Sequence, residues 1–116
     1  MNYRIQLKTV LSEAGSLPEQ QLALFALLNL GLVESLAGGL ISAADAVRLF
    51  FHAENCLFVR QRLRERLADE VMSHGVQLPD LFEALPAKEA QREFQRELAT
   101  MRSLCLTLLA EKQLAA

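Results

Sequence analysis

Tryptophan is absent from this chain, tyrosine occurs once, and its 116 residues include only two cysteines, two histidines, three prolines and five glycines. Each shortage excludes something. Two cysteines far apart cannot form the dense disulfide framework that staples small secreted domains, so Cys56 and Cys105 read as buried thiols in a reducing cytoplasm. His52 and His74 have no further ligands at metal spacing. The Gly38–Gly39 pair before a helix lacks the fuller glycine signature and the lysine of a phosphate loop, so it reads as a turn. With so few glycines and prolines, and no segment alternating Val, Ile, Thr and Tyr with polar residues, a strand-and-turn architecture is excluded. Neither sign of charge dominates: 12 basic residues face 14 acidic ones, a net charge of −2. No global field gathers nucleic acid or anionic lipid. Residues 1–10 carry Arg4 and Lys8 but no apolar run or cleavage site, so no secretory signal is expected.

What is present is apolar and aliphatic. Hydrophobic residues make up 52% of the chain and aromatics only 6%, which calls for a core of leucine and alanine. The greasiest stretch, Leu22 to Ile41, is interrupted by Asn29, Glu34 and Ser35 and spreads leucines over all sides of a helical wheel. It is therefore expected to be covered on most of its circumference, inside a bundle or a bilayer. Gly38 and Gly39 stop it, the first taking the left-handed C′ conformation, and leave about a dozen uninterrupted apolar residues where a span needs about 20. Ser16, Pro18 and Glu19 form a start signal with a capping box, which predicts a buried helix over 17–37.

Around it the spacing predicts a short first helix over 2–14, and a third helix capped by Ser42 with Asp45 and running to Phe51. A fourth helix is capped by Asn55 and extends to His74, where Gly75 stops it with Val76 folding back on Val71. Residues 77–85 read as a connector turn containing Pro79, and a last helix runs over 87–114. The expected fold is all-α: one domain, residues 1–116, a bundle of four principal helices with a short N-terminal helix and a connector turn.

The polar inventory offers little chemistry. Glu34 is the one acid inside the apolar helix and is expected to emerge at its end. His52 and Cys56 lie close enough in sequence to form a thiolate pair, but Cys56 continues an apolar seam with Val59 and Leu63, which raises a thiol pKa. His74 is expected to complement a helix C-terminal dipole. Arg60, Arg62, Arg64 and Arg66 alternate, so on one helix they splay over two faces, and acidic neighbours answer them. Neither metal nor cofactor is expected.

The run Leu28, Leu30, Gly31, Leu32, Leu36, Gly39, Leu40, Ile41, Ser42 and Ala46 resembles a group of small all-helical bacterial proteins of unassigned function, in which an apolar helix passes through a glycine-bearing turn into a Ser-capped helix. The resemblance implies a fold and carries no catalytic residues. On the residues themselves, the expectation is a non-enzymatic cytoplasmic protein–protein interaction module, an adaptor, immunity-type protein or complex subunit. It is read as a homodimer candidate without membrane or nucleic-acid partners, because the long last helix spreads Met101, Leu104, Leu106, Leu108 and Leu109 wider than one neighbour covers. The alternative is a nucleic-acid-binding or regulatory protein using the four arginines.

Overall fold

The structure, a computed structural model, describes residues 3–112. It contains helices α1 (Leu7–Ser12), α2 (Pro18–Ala37), α3 (Ala43–Leu49), α4 (Ala53–Phe58), α5 (Arg66–Ala84) and α6 (Ala87–Lys112), with a π-helical turn at Val59–Leu63 following α4 directly. No strand occurs among the described residues. The expected all-α bundle is what forms, around one contiguous apolar core. The expected starts and ends at Asn2 and Leu114 lie outside the described residues.

Helix α2 organises that core, by a stripe. Leu22, Phe25, Asn29, Leu32 and Leu36 are buried at alternating spacings of three and four residues, with Ala23, Ala26 and Val33 buried beside them. Helix α6 answers with Ala90, Phe94, Leu98, Met101, Cys105 and Leu108, all buried at the same spacing. The two form the most extensive helix pair, and they run antiparallel: Leu36 and Ala37, at the end of α2, share one groove with Gln91 and Phe94, near the start of α6. The expectation that α2 is covered on most of its circumference is corrected. Leu27 is half exposed, Gly31 and Glu34 face solvent, and Leu24, Leu28 and Leu30 are only partly covered.

Both ends of α2 differ in detail from the sequence signals. Leu17 is the N-cap and no side chain caps the helix, so the Ser16–Glu19 box does not form; Gln21 instead donates to the carbonyl of Gly15 (2.8 Å). At the other end Gly38 stays right-handed (φ −84°) and Gly39 takes the left-handed conformation (φ +74°). The amide of Leu40 then donates to Ser35 (2.9 Å) and that of Gly39 to Leu36 (3.2 Å), the paired bonds of a Schellman closure. Helix α3 begins with the full capping box: Ser42 Oγ accepts from the Asp45 amide, and the Asp45 carboxylate accepts from the Ser42 amide.

The predicted fourth helix is two helices. His52, and not Asn55, caps α4, its Nδ1 accepting from the Asn55 amide (3.4 Å). The π turn ends at Arg64, whose amide reaches back to Val59 (3.0 Å) and whose φ is +52°, the one positive φ outside glycine among the described residues. Glu65 then starts α5 afresh by accepting from the Leu67 amide (2.9 Å). The break lets one segment bury Val59 and Leu63 and the next bury Ala68, Val71 and Met72 without a shared helical phase.

Helix α5 runs on through the expected stop at Gly75 and through Pro79, which was expected in a connector turn. Gly75 is buried because the Phe51 ring lies on it: a Cβ there would sit 2.4 Å from Phe51 Cδ1. Pro79 lies inside the helix, with no N–H to give to the Gly75 carbonyl four residues back. The expected connector is therefore the last turns of α5. His74 sits in mid-helix, with Nδ1 3.0 Å from Glu97 Oε1 of α6, so it tethers two helices and does not complement a helix end.

Candidate docking surface

Residues 3–6 are an extended strap against the end of α3, where the Ile5 amide donates to the Leu49 carbonyl (2.8 Å). Asn55, fully buried, ties this strap and the start of α1 to the end of α3 with three bonds: Oδ1 accepts from the Leu7 amide (3.0 Å), and Nδ2 donates to the carbonyls of Ile5 (2.9 Å) and Phe50 (2.8 Å). His52 adds a second bond to the strap, with Nε2 3.0 Å from the Ile5 carbonyl; because Nδ1 accepts the cap bond, Nε2 carries the proton. Both ring nitrogens are thus spent on structure. Cys56 is half-buried with Sγ 3.7 Å from the Phe51 carbonyl; desolvation pushes its thiol up, opposed by the charge of Arg60 and reinforced by that of Asp69. A thiolate nucleophile is disfavoured there. Glu34 is on another part of the molecule, facing Arg102 of α6 at 3.8 Å, so the three residues Glu34, His52 and Cys56 do not converge.

Among the described residues no three His, Cys, Asp or Glu side chains gather to hold a metal ion. The arginines are less dispersed than one continuous helix would make them. The left-handed turn brings Arg60, Arg64 and Arg66 to the rim of one small depression, of about 160 Å³, together with Glu65 and Asp69. Arg60 stands 3.6 Å from Asp69, and Arg66 is bonded to Glu70 (2.9 Å). A larger groove of about 580 Å³ lies between the turn after α2, the end of α5 and the start of α6. Its floor is Leu36, Ile41, Pro79, Phe82 and Phe94, with Glu83 and Gln91 at its edge. It can take an apolar side chain; Glu83 is the one ionisable side chain of its lining, and the Ser42 hydroxyl there is engaged in the α3 cap.

A further partly uncovered apolar surface is the outward side of the α2–α6 pair. At about 100° per residue, Gln20, Leu24, Leu27, Gly31 and Glu34 fall on the side of α2 opposite its buried stripe. On α6, Ala99, Arg102, Ser103, Leu106 and Ala110 fall on the side turned outward beside α2. Leu27 is 49% and Leu106 50% exposed, and the Glu34–Arg102 pair borders them with side chains 71% and 60% exposed. Gly31 adds an oddity. Glycine inside a helix costs about 1 kcal/mol relative to alanine, and here no atom outside the local helix lies within 4 Å of where a Cβ would stand. Nothing within the chain explains it.

The expected interface on α6 is corrected in part. Met101 and Leu108 are fully buried in the core, because they belong to the three–four stripe facing α2 and α5; they cannot meet a partner. Leu106 is exposed, and Leu104 and Leu109 are partly so. The share of the surface belonging to α2 was not legible, because a uniformly leucine-rich helix hides which leucines face out. Helix α2 is also long and apolar enough, by length and composition, to cross a membrane, a test that the core helix of a soluble protein passes as well.

No protein-family model, no curated protein and no solved structure matches the chain.

Proposed function

We propose that this chain is a small, non-enzymatic protein–protein interaction module of the cytoplasm, docking through the outward face of α2 and α6. The observation that carries this reading is Gly31 set among Leu24, Leu27 and Leu106. A mid-helix glycine with open space around it, beside the half-exposed Leu27 and Leu106, suits the close approach of another helix. The chemistry on offer elsewhere supports a non-catalytic role, since His52 and Asn55 hold the strap and both cysteines have raised pKa values.

A photo-crosslinking residue placed at Leu27 or Leu106 tests this. The expected result is one discrete adduct in cells, from these two positions, with none from Leu57 or Val76, which are similarly exposed on other faces. Adducts from all four positions, or from none, would refute it.

A second reading, contact with nucleic acid through Arg60, Arg62, Arg64 and Arg66, draws on the depression that three of them line. Against it, Asp69 and Glu70 already neutralise two of those side chains. Retention on heparin that weakens steeply with salt, and disappears in the Arg60→Ala, Arg64→Ala double variant, would favour it.

A further inference from the structure

We infer that the occupant of the α2–α6 face is a second copy of this chain, with α2 of each copy lying over α6 of the other. The inference rests on the docking reading and names its partner.

The argument starts from register. Within the chain α2 and α6 are antiparallel: Leu36 and Ala37 line one groove with Gln91 and Phe94, and Glu34 meets Arg102 at 3.8 Å. At about 1.5 Å per residue in both helices, these two markers set Gly31 between the levels of Ala99 and Cys105 and Leu27 between those of Ser103 and Leu109. A two-fold axis parallel to the helices and midway between them leaves axial levels unchanged and exchanges α2 with α6. It therefore sets Gly31 opposite the middle of the partner subunit's α6 and Leu27 opposite Leu106 of the partner subunit. Gly31 lets the backbones come close, and the two half-exposed leucines meet beside it.

Charge agrees with this symmetry and not with its alternatives. Glu34 and Arg102 are the acid and base at the border of the face, and both are largely exposed although 3.8 Å apart. The exchange of α2 for α6 offers Glu34 of each copy to Arg102 of the partner subunit, two pairs in all. An axis directly over α2 and parallel to it, by contrast, faces like with like, since Glu34 then meets Glu34. The size also fits. A 20-residue helix is about 30 Å long, and two helices side by side are about 20 Å wide, the scale of the ~800 Å² that each partner gives to a standard interface. The same charged border makes a lipid surface the poorer occupant.

The test is charge exchange between copies. Glu34→Arg and Arg102→Glu are prepared separately, checked by circular dichroism for helix content, and weighed by light scattering alone and mixed. The expected result is a dimer for the unaltered chain, at least a tenfold weaker dimer for each variant alone, and recovery of the dimer on mixing, because the mixed pair places Arg against Glu at both crossings. Gly31→Gln, at a position with room in the isolated chain, is expected to stay folded and become monomeric. A monomer for the unaltered chain at every concentration, or no recovery on mixing, overturns the inference. A crosslink from Leu27 to a different protein, or sedimentation of a monomer with phosphatidylglycerol vesicles, also overturns it; the first of these leaves the docking reading standing.

Discussion

Two glycines inside helices respond oppositely to the same added methyl group. Gly31→Ala places a Cβ in open space in the single chain and removes the helical penalty of glycine, so urea unfolding at concentrations where the chain is monomeric should show a gain of about 0.5–1 kcal/mol. Gly75→Ala drives a Cβ into the buried Phe51 ring, and overpacking of this kind costs about 1–3 kcal/mol, more than helix propensity returns. Equal gains at both sites would contradict the packing described. Arg64→Gly should stabilise by about 1 kcal/mol in the same assay, since a left-handed φ of +52° burdens any residue with a Cβ. None of this was legible from residue type. Gly75 looks like a helix stop because its reason for being glycine is a ring 24 positions earlier in the chain, and Asn29 looks like a surface interruption although it is fully buried. Its Nδ2 donates to the Phe25 carbonyl (3.0 Å), and its Oδ1 has no partner among the described residues.

Elements whose ends are written in local chemistry were readable, and those set by distant packing were not. The Ser42–Asp45 box is local: four consecutive residues supply both bonds, and it forms as the spacing implies. Asp45 is held below its ordinary 3.8, first by the backbone bond from Ser42, then by the Ser42 hydroxyl, with Arg48 adding to both. A carboxylate with a lowered folded pKa stabilises above its unfolded value and loses that contribution as pH falls through the folded one. Thermal melts of the unaltered chain and of Asp45→Asn should therefore differ at pH 6 and converge toward pH 2; a difference that persists at pH 2 would argue that the amide disrupts the cap by shape. Ser42→Ala should cost about 1 kcal/mol. The break between α4 and α5 had no such signal. Its sequence is arginine, glutamine, leucine and glutamate, all good helix formers, and only the need to bury Val59 and Leu63 on one course and Val71 and Met72 on another ends the helix there.

For the whole molecule, the hydrophobic content announced a helical domain, but Met101 and Leu108, read as interface, belong to the buried face of α6. What composition conceals is the second side of α2, where Leu27 is half exposed beside Gly31. The domain as a whole also shields its thiols. Burial pushes Cys105 up to about 12 and raises Cys56, so a disulfide reagent at pH 8 should react slowly with the native chain and label both cysteines only after denaturation. The claim on which the rest turns is that two copies close over the α2–α6 face, and the mass of the protein in solution tests it most directly. Light scattering across a concentration series should give twice the chain mass for the unaltered protein and the single-chain mass for folded Gly31→Gln; a single-chain mass for both, or a dimer that Gly31→Gln leaves intact, would contradict it.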